Sequence, residues 1–183
     1  MESIFPGLTH APNLHPLVVH FPIVFWVTAA IAWAFATFHE NERVWQFGRW
    51  LHVSGAIAAV IATAVGFWVT DRMGHDSPGH DLIHVHRDFM LVATTLSILI
   101  AALGWWWRGP DKKWRIGLTT ASLILVSVMT LGADRGAELA FRYGIGVAGD
   151  PPPHTQGHDH DHGHEHEPSS SSPDAHDHGS HQH

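Results

Sequence analysis

Nineteen histidines and no cysteine in 183 residues decide which chemistry this chain can support. Neutral imidazole ligates Zn, Ni, Cu and haem iron, whereas disulfides, thiolate metal sites and cysteine nucleophiles are excluded. Most of the histidines fall in two groups. The first lies in "HPLVVHFP" (15–22) and "HVHRD" (84–88), beside long apolar runs; the second lies in "HTQGHDHDHGHEHEPSSSSPDAHDHGSHQH" (154–183). An ionisable side chain inside an apolar span is expensive and faces the bundle interior, so His20, about one turn into its span, is expected to be a ligand. His84 and His86 are two residues apart and point about 200° apart on a helix. Only one of them can face His20. His84 shares a face with Asp88, four residues on, so His84 is the expected inward residue with Asp88 orienting it; His86 is the alternative.

These residues need elements to hold them at matched depth. A hydrocarbon core of about 30 Å takes roughly 20 apolar residues of helix, and four stretches approach that length: Leu17 to Phe38, Leu51 to Thr70, Phe89 to Trp107 and Ile116 to Ala133. No Lys or Arg precedes the first, so it is expected to span rather than to be a cleaved signal peptide. Short connections make an up-down bundle the economical arrangement. The expected fold is therefore an all-α membrane protein with four transmembrane helices. Residues 1–16 precede the bundle, 17–148 form it, and 149–183 are a His-rich tail. Residues 132–147 read as a short interfacial helix ending at Gly144, and Pro151, Pro152 and Pro153 stop regular structure. The tail has no apolar residue large enough for a core and is expected to be disordered.

The net charge of −7 comes from the seven carboxylates beyond residue 149; the first 149 residues balance ten basic against ten acidic side chains. Nothing there suggests nucleic acid. The loops after the first and third spans carry Arg43, Arg49, Arg108, Lys112, Lys113 and Arg115, against Arg72, Arg87, Arg135 and Arg142 at the other end. With Trp45, Trp50, Trp105, Trp106, Trp107 and Trp114 as an interfacial belt on the richer side, the positive-inside rule puts those loops in the cytoplasm. Both termini would then be periplasmic, in a bacterial inner membrane.

Within the first span, Pro16 suits a helix's first turn, whereas Pro22 leaves the Val18 carbonyl without its helical donor. Gly55, Ala59, Ala62 and Gly66 make one stripe of small residues, read as close helix packing or, at Gly66, as room for a flat cofactor. His52 reads as an interfacial side chain at the tryptophan-rich end. Ser54, Ser97, Ser122 and Ser127 lack a His and carboxylate at any catalytic spacing and are expected to bond back to their own helices.

Two ligand sets follow. Haem b would take His20 with His84, or with His86, as axial ligands, and Arg72, Arg87 and Arg135 would meet its propionates. A divalent ion would use His15, His20 and Asp71 in the bundle, and His158, His160, His162, His164 and His166 in the tail, where Zn, Ni or Cu is the expected cation. The corresponding functions are a redox-associated module working with a periplasmic redox protein, a metal-handling protein working with a metal chaperone, or a structural anchor whose partner is the lipid bilayer.

"LHPLVVHFPIVF" (14–25), "GFWVTD" (66–71), the histidines opening the third helix and "GAELAFRYGIGV" (136–147) resemble the bacterial membrane proteins grouped as domain of unknown function 2231. The resemblance covers roughly residues 10 to 148. It implies a four-helix inner-membrane module, in some relatives joined to Rieske or cytochrome c domains, with no established reaction. The family pattern does not require the histidine tail.

Overall fold

The computed structural model describes residues 14–71, 79–107 and 111–145. They form helices α1 (His15–Val18), α2 (His20–His39), α3 (Glu42–Thr70), α4 (His80–Trp106) and α5 (Lys112–Tyr143), with no strand among the described residues. α1 and α2 are one 25-residue span interrupted at Val19. The interruption is where Pro22 has no N–H to offer the Val18 carbonyl; Val19 itself keeps helical dihedrals (φ −65°, ψ −21°). With α3, α4 and α5 this gives four helices long and apolar enough to cross a membrane.

Side chains define the ends. Glu40 adopts the left-handed conformation (φ 51°) and closes α2; Asn41 caps α3 by accepting from the Val44 N–H at 3.2 Å, as Asp111 caps α5 by accepting from Lys113 at 2.9 Å. Gly144 ends α5 at φ 67°, a left-handed conformation natural to glycine. The segment expected to be a separate interfacial helix is instead the last part of α5, because nothing between Gly132 and Tyr143 breaks the helical bonding.

Each span packs on its neighbours in sequence, and the first also packs on the fourth, closing an up-down ring. The first and third spans are diagonal, as are the second and fourth. Trp33, Ile100 and Leu125 fill the core, whereas Ile31, Val92 and Leu123 are exposed, as suits helices whose outer solvent is lipid.

Glycines set the depth register. Trp33 lies against Gly48, Trp26 against Gly55 and His15 against Gly66, so the first span's large rings are spaced by the same intervals as the glycines that receive them. A Cβ at Gly55 would stand 2.6 Å from the Trp26 ring. In the second hairpin, Met90 lies against Gly132 and His86 against Gly136.

Inter-helix side-chain hydrogen bonds join all six pairs of spans. Within the hairpins, Trp33 Nε1 donates to the Trp45 carbonyl (3.1 Å) and His86 Nδ1 bonds the Gly132 carbonyl (2.7 Å). Between hairpins, Trp26 Nε1 donates to Ser97 Oγ (3.0 Å), Thr37 pairs with Thr119 (2.9 Å), Thr63 with Thr94 (3.0 Å), and His52 Nε2 with Ser122 Oγ (3.0 Å). Ser97 and Ser122 thus bond across the bundle, not back to their own helices, because each faces a long donor or acceptor on the diagonal helix. Ser127 does bond back, to the Leu123 carbonyl at 3.0 Å.

Candidate functional site

At the α4 start of the bundle, the imidazoles brought together are His15 and His86. His15 opens α1 with Pro16 behind it and rests in the notch at Gly66, where a Cβ would be 3.0 Å from its Cε1, near the backbone of Ala62. His86 occupies the equivalent notch at Gly136, where a Cβ would be 2.9 Å from its Cε1. Its Nδ1 donates to the Gly132 carbonyl, which leaves Nε2 with a lone pair. The two rings are close enough for their charges to interact.

The arrangement repeats across a pseudo-twofold axis. Trp26 meets Ser97, and Trp33 meets Gly104, at a separation of 71 positions on the first diagonal; His52 meets Ser122 at 70 on the second. His15 and His86 fall on the same offset, as do Gly66 and Gly136. Each hairpin therefore contributes one histidine, seated in its partner helix's glycine, at one depth.

His20 takes no part in this pair. It is exposed, and its Nδ1 bonds the Pro16 carbonyl one turn back at 2.5 Å. Five residues of helix rotate it about 140° from His15, and His15 holds the inward direction because Gly66 admits its ring. His84 also turns away from His15 and pairs with His80, Nε2 to Nε2 at 2.9 Å. Asp88 does not orient His84: it is exposed and accepts from Arg87 at 2.9 and 3.1 Å. Arg135 is paired with Glu138 at 3.2 Å. Asp71 is exposed at the α3 terminus. Arg72, His75 and the tail histidines lie outside the described residues. Among the described residues no group of three or more His, Cys, Asp or Glu could hold a metal ion.

The opposite end holds the residue that sequence reasoning misplaced. His52 is not interfacial but fully buried, tilted against Trp33 with ring centroids 4.2 Å apart, and its Nδ1 has no partner among the described residues. Trp45, expected in the belt, is buried and stacked on Trp33 at 4.6 Å, with the Arg115 guanidinium 5.1 Å from its ring centroid. Arg115 also pairs with Glu42. Trp50, Trp105, Trp106, Trp107 and Trp114 are exposed, as belt residues are. The missed signal was the matched spacing of Gly48, Gly55 and Gly66 with Trp33, Trp26 and His15, which fixes the inward face of the first span.

The family model described as "Predicted membrane protein (DUF2231)" matches residues 11–149. The chain belongs to this family. The DUF2231 region takes in both the His15–His86 pair and His52, and ends before the histidine-rich tail. No curated protein and no solved structure matches the chain.

Proposed function

We propose that this DUF2231 protein is a redox module of the bacterial inner membrane that holds haem b between His15 and His86, at its periplasmic end. The observation that carries the reading is the pair itself: two imidazoles at one depth, one from each hairpin, each seated against a glycine of a neighbouring helix. The bond from His86 to the Gly132 carbonyl is of the kind that orients ligand histidines. Two donors suit haem iron, whose other four ligands belong to the porphyrin, whereas a bare ion there would find no group of three or more His, Cys, Asp or Glu among the described residues. Bound haem would supply one-electron transfer, for exchange with a periplasmic redox protein. This chain's own contribution is orientation: His86 keeps its Nδ1 proton on the Gly132 carbonyl, and Arg87 and Arg135 are the cations at hand for acidic groups. The Lys and Arg bias of the loops supports the orientation.

The test is the visible spectrum of the purified full-length protein with a pyridine haemochrome assay. The expected result is a six-coordinate low-spin b-type spectrum, lost in both His15→Ala and His86→Ala and kept in His20→Ala. A colourless protein from haem-replete cells overturns the reading, as does a spectrum that survives both substitutions. The alternating histidines 158–166 favour a second activity, capture of Zn, Ni or Cu by the tail, which requires unprotonated imidazole and fails below about pH 6.

A further inference from the structure

Among the described residues, Arg49 is a half-buried cation that no carboxylate pairs with. It stands seven residues into α3, about 10 Å from the helix start at 1.5 Å per residue. Its Nε is buried and has no hydrogen-bond partner among the described residues. The three carboxylates at this end of the bundle are engaged elsewhere: Glu40 pairs with Lys112 at 3.3 Å, Glu42 pairs with Arg115, and Asp111 accepts from the Lys113 backbone N–H at 2.9 Å. Arg87, Arg115, Arg135 and Arg142, by contrast, each have a carboxylate.

What surrounds Arg49 is a seam between α3 and α4 that opens toward lipid. Its Cγ lies 4.0 Å from the position of a Cβ at Gly104, so a larger residue there would crowd the stem. The guanidinium carbon is 5.7 Å from the centroid of the Trp105 ring, and Trp105 meets Trp50 edge-on at 5.1 Å. Both indoles are exposed, and indoles anchor at headgroup level. An arginine near a helix end lays its stem along apolar surface and carries its charge to the interface. The anions at that level of a bilayer are lipid phosphates, and the planar guanidinium fork takes phosphate oxygens two at a time. Basic pockets between spans hold anionic headgroups in this way. Charge favours such a headgroup here, since Arg43, Arg49, Lys112, Lys113 and Arg115 outnumber Glu40, Glu42 and Asp111 by five to three.

We infer that Arg49, with Trp50 and Trp105, forms a binding site for one anionic phospholipid, its phosphate on the guanidinium and its acyl chains along the α3–α4 seam. The site lies at the other end of the bundle from His15 and His86 and is independent of the haem reading.

The experiment is native mass spectrometry of the full-length protein, released from detergent after addition of a phosphatidylglycerol or of the diacylglycerol with the same chains. The expected result is several-fold more bound phosphatidylglycerol than diacylglycerol in the wild-type chain. That preference should vanish in Arg49→Met, which keeps an apolar stem and removes the charge, and persist in Arg43→Gln, whose arginine is exposed at the same end. Excess glycerol phosphate should leave the lipid in place. Equal binding of the two lipids by the wild-type chain overturns the site, whatever the variants do. A preference that survives in Arg49→Met, or that falls as far in Arg43→Gln, means attraction by overall charge and overturns the assignment to Arg49. Displacement by glycerol phosphate overturns the lipid as ligand in favour of a soluble phosphate.

Discussion

Gly66 receives the His15 ring in the same register that seats Trp26 on Gly55 and Trp33 on Gly48. The first hairpin thus has a single depth setting from one end to the other, and the candidate ligand is its last notch.

Filling a notch tests that register. Gly55→Ala puts a methyl 2.6 Å from the Trp26 ring, and overpacking of this kind costs about 1–3 kcal/mol. Gly117→Ala is the control, because a Cβ there meets nothing within 4 Å and alanine is the better helix former. Thermal unfolding in detergent should show a lowered Tm for the first and an unchanged or raised Tm for the second. Equal Tm values would mean the close approach of Trp26 is not structural.

The buried polar bond between His52 and Ser122 yields a second expectation. Inter-helix hydrogen bonds in membranes average about 0.6 kcal/mol and reach about 1.7, so Ser122→Ala should cost an amount in that range. His52→Ala should cost more, since it also leaves a void against Trp33. A double-mutant cycle read by SDS unfolding should return the pairwise part; a coupling of zero would mean that the bond adds nothing.

How much of this was legible in the sequence differs by dimension. Depth was legible: the four apolar stretches lie inside the four spanning helices but for Trp107, one residue past α4, and Gly144 ends α5 as expected. Helix starts were less so. α3 begins at Glu42 and α4 at His80, well before Leu51 and Phe89, because capping by Asn41 and turn geometry at Gly79 set those ends while hydropathy reports only what suits lipid. Rotation about the helix axis was the hardest. His20 and His15 are equally polar, and only the glycine opposite decides which one faces inward; His52 and Trp45 were likewise read by depth and turned out to be core.

Topology can be checked directly. Reporter fusions after Pro151 should register as periplasmic and fusions near Pro110 as cytoplasmic, following the six-to-four bias of Lys and Arg. The reverse pattern would move His15, His86 and the tail to the cytoplasmic side.

A chain ending at Gly149 should retain the Tm of the full protein, since the core residues all precede that point. Titration with Ni should lose most of its stoichiometry. Equal uptake by the two chains would show that the tail histidines do not bind the metal.

Four inter-span bonds in the interior run between the hairpins, and they employ Trp26, Thr37, His52 and Thr63 of the first and Thr94, Ser97, Thr119 and Ser122 of the second. A hairpin inserted by itself would expose those groups to hydrocarbon, where an unsatisfied polar group is costly. Each half of the molecule is therefore an incomplete product, complementary only to the other half. During synthesis the first two spans must wait in the bilayer with their polar groups unmatched until the last two arrive. Two separately expressed fragments, divided between Asp71 and Gly79, have in these four bonds a built-in code for finding each other and rebuilding the ring.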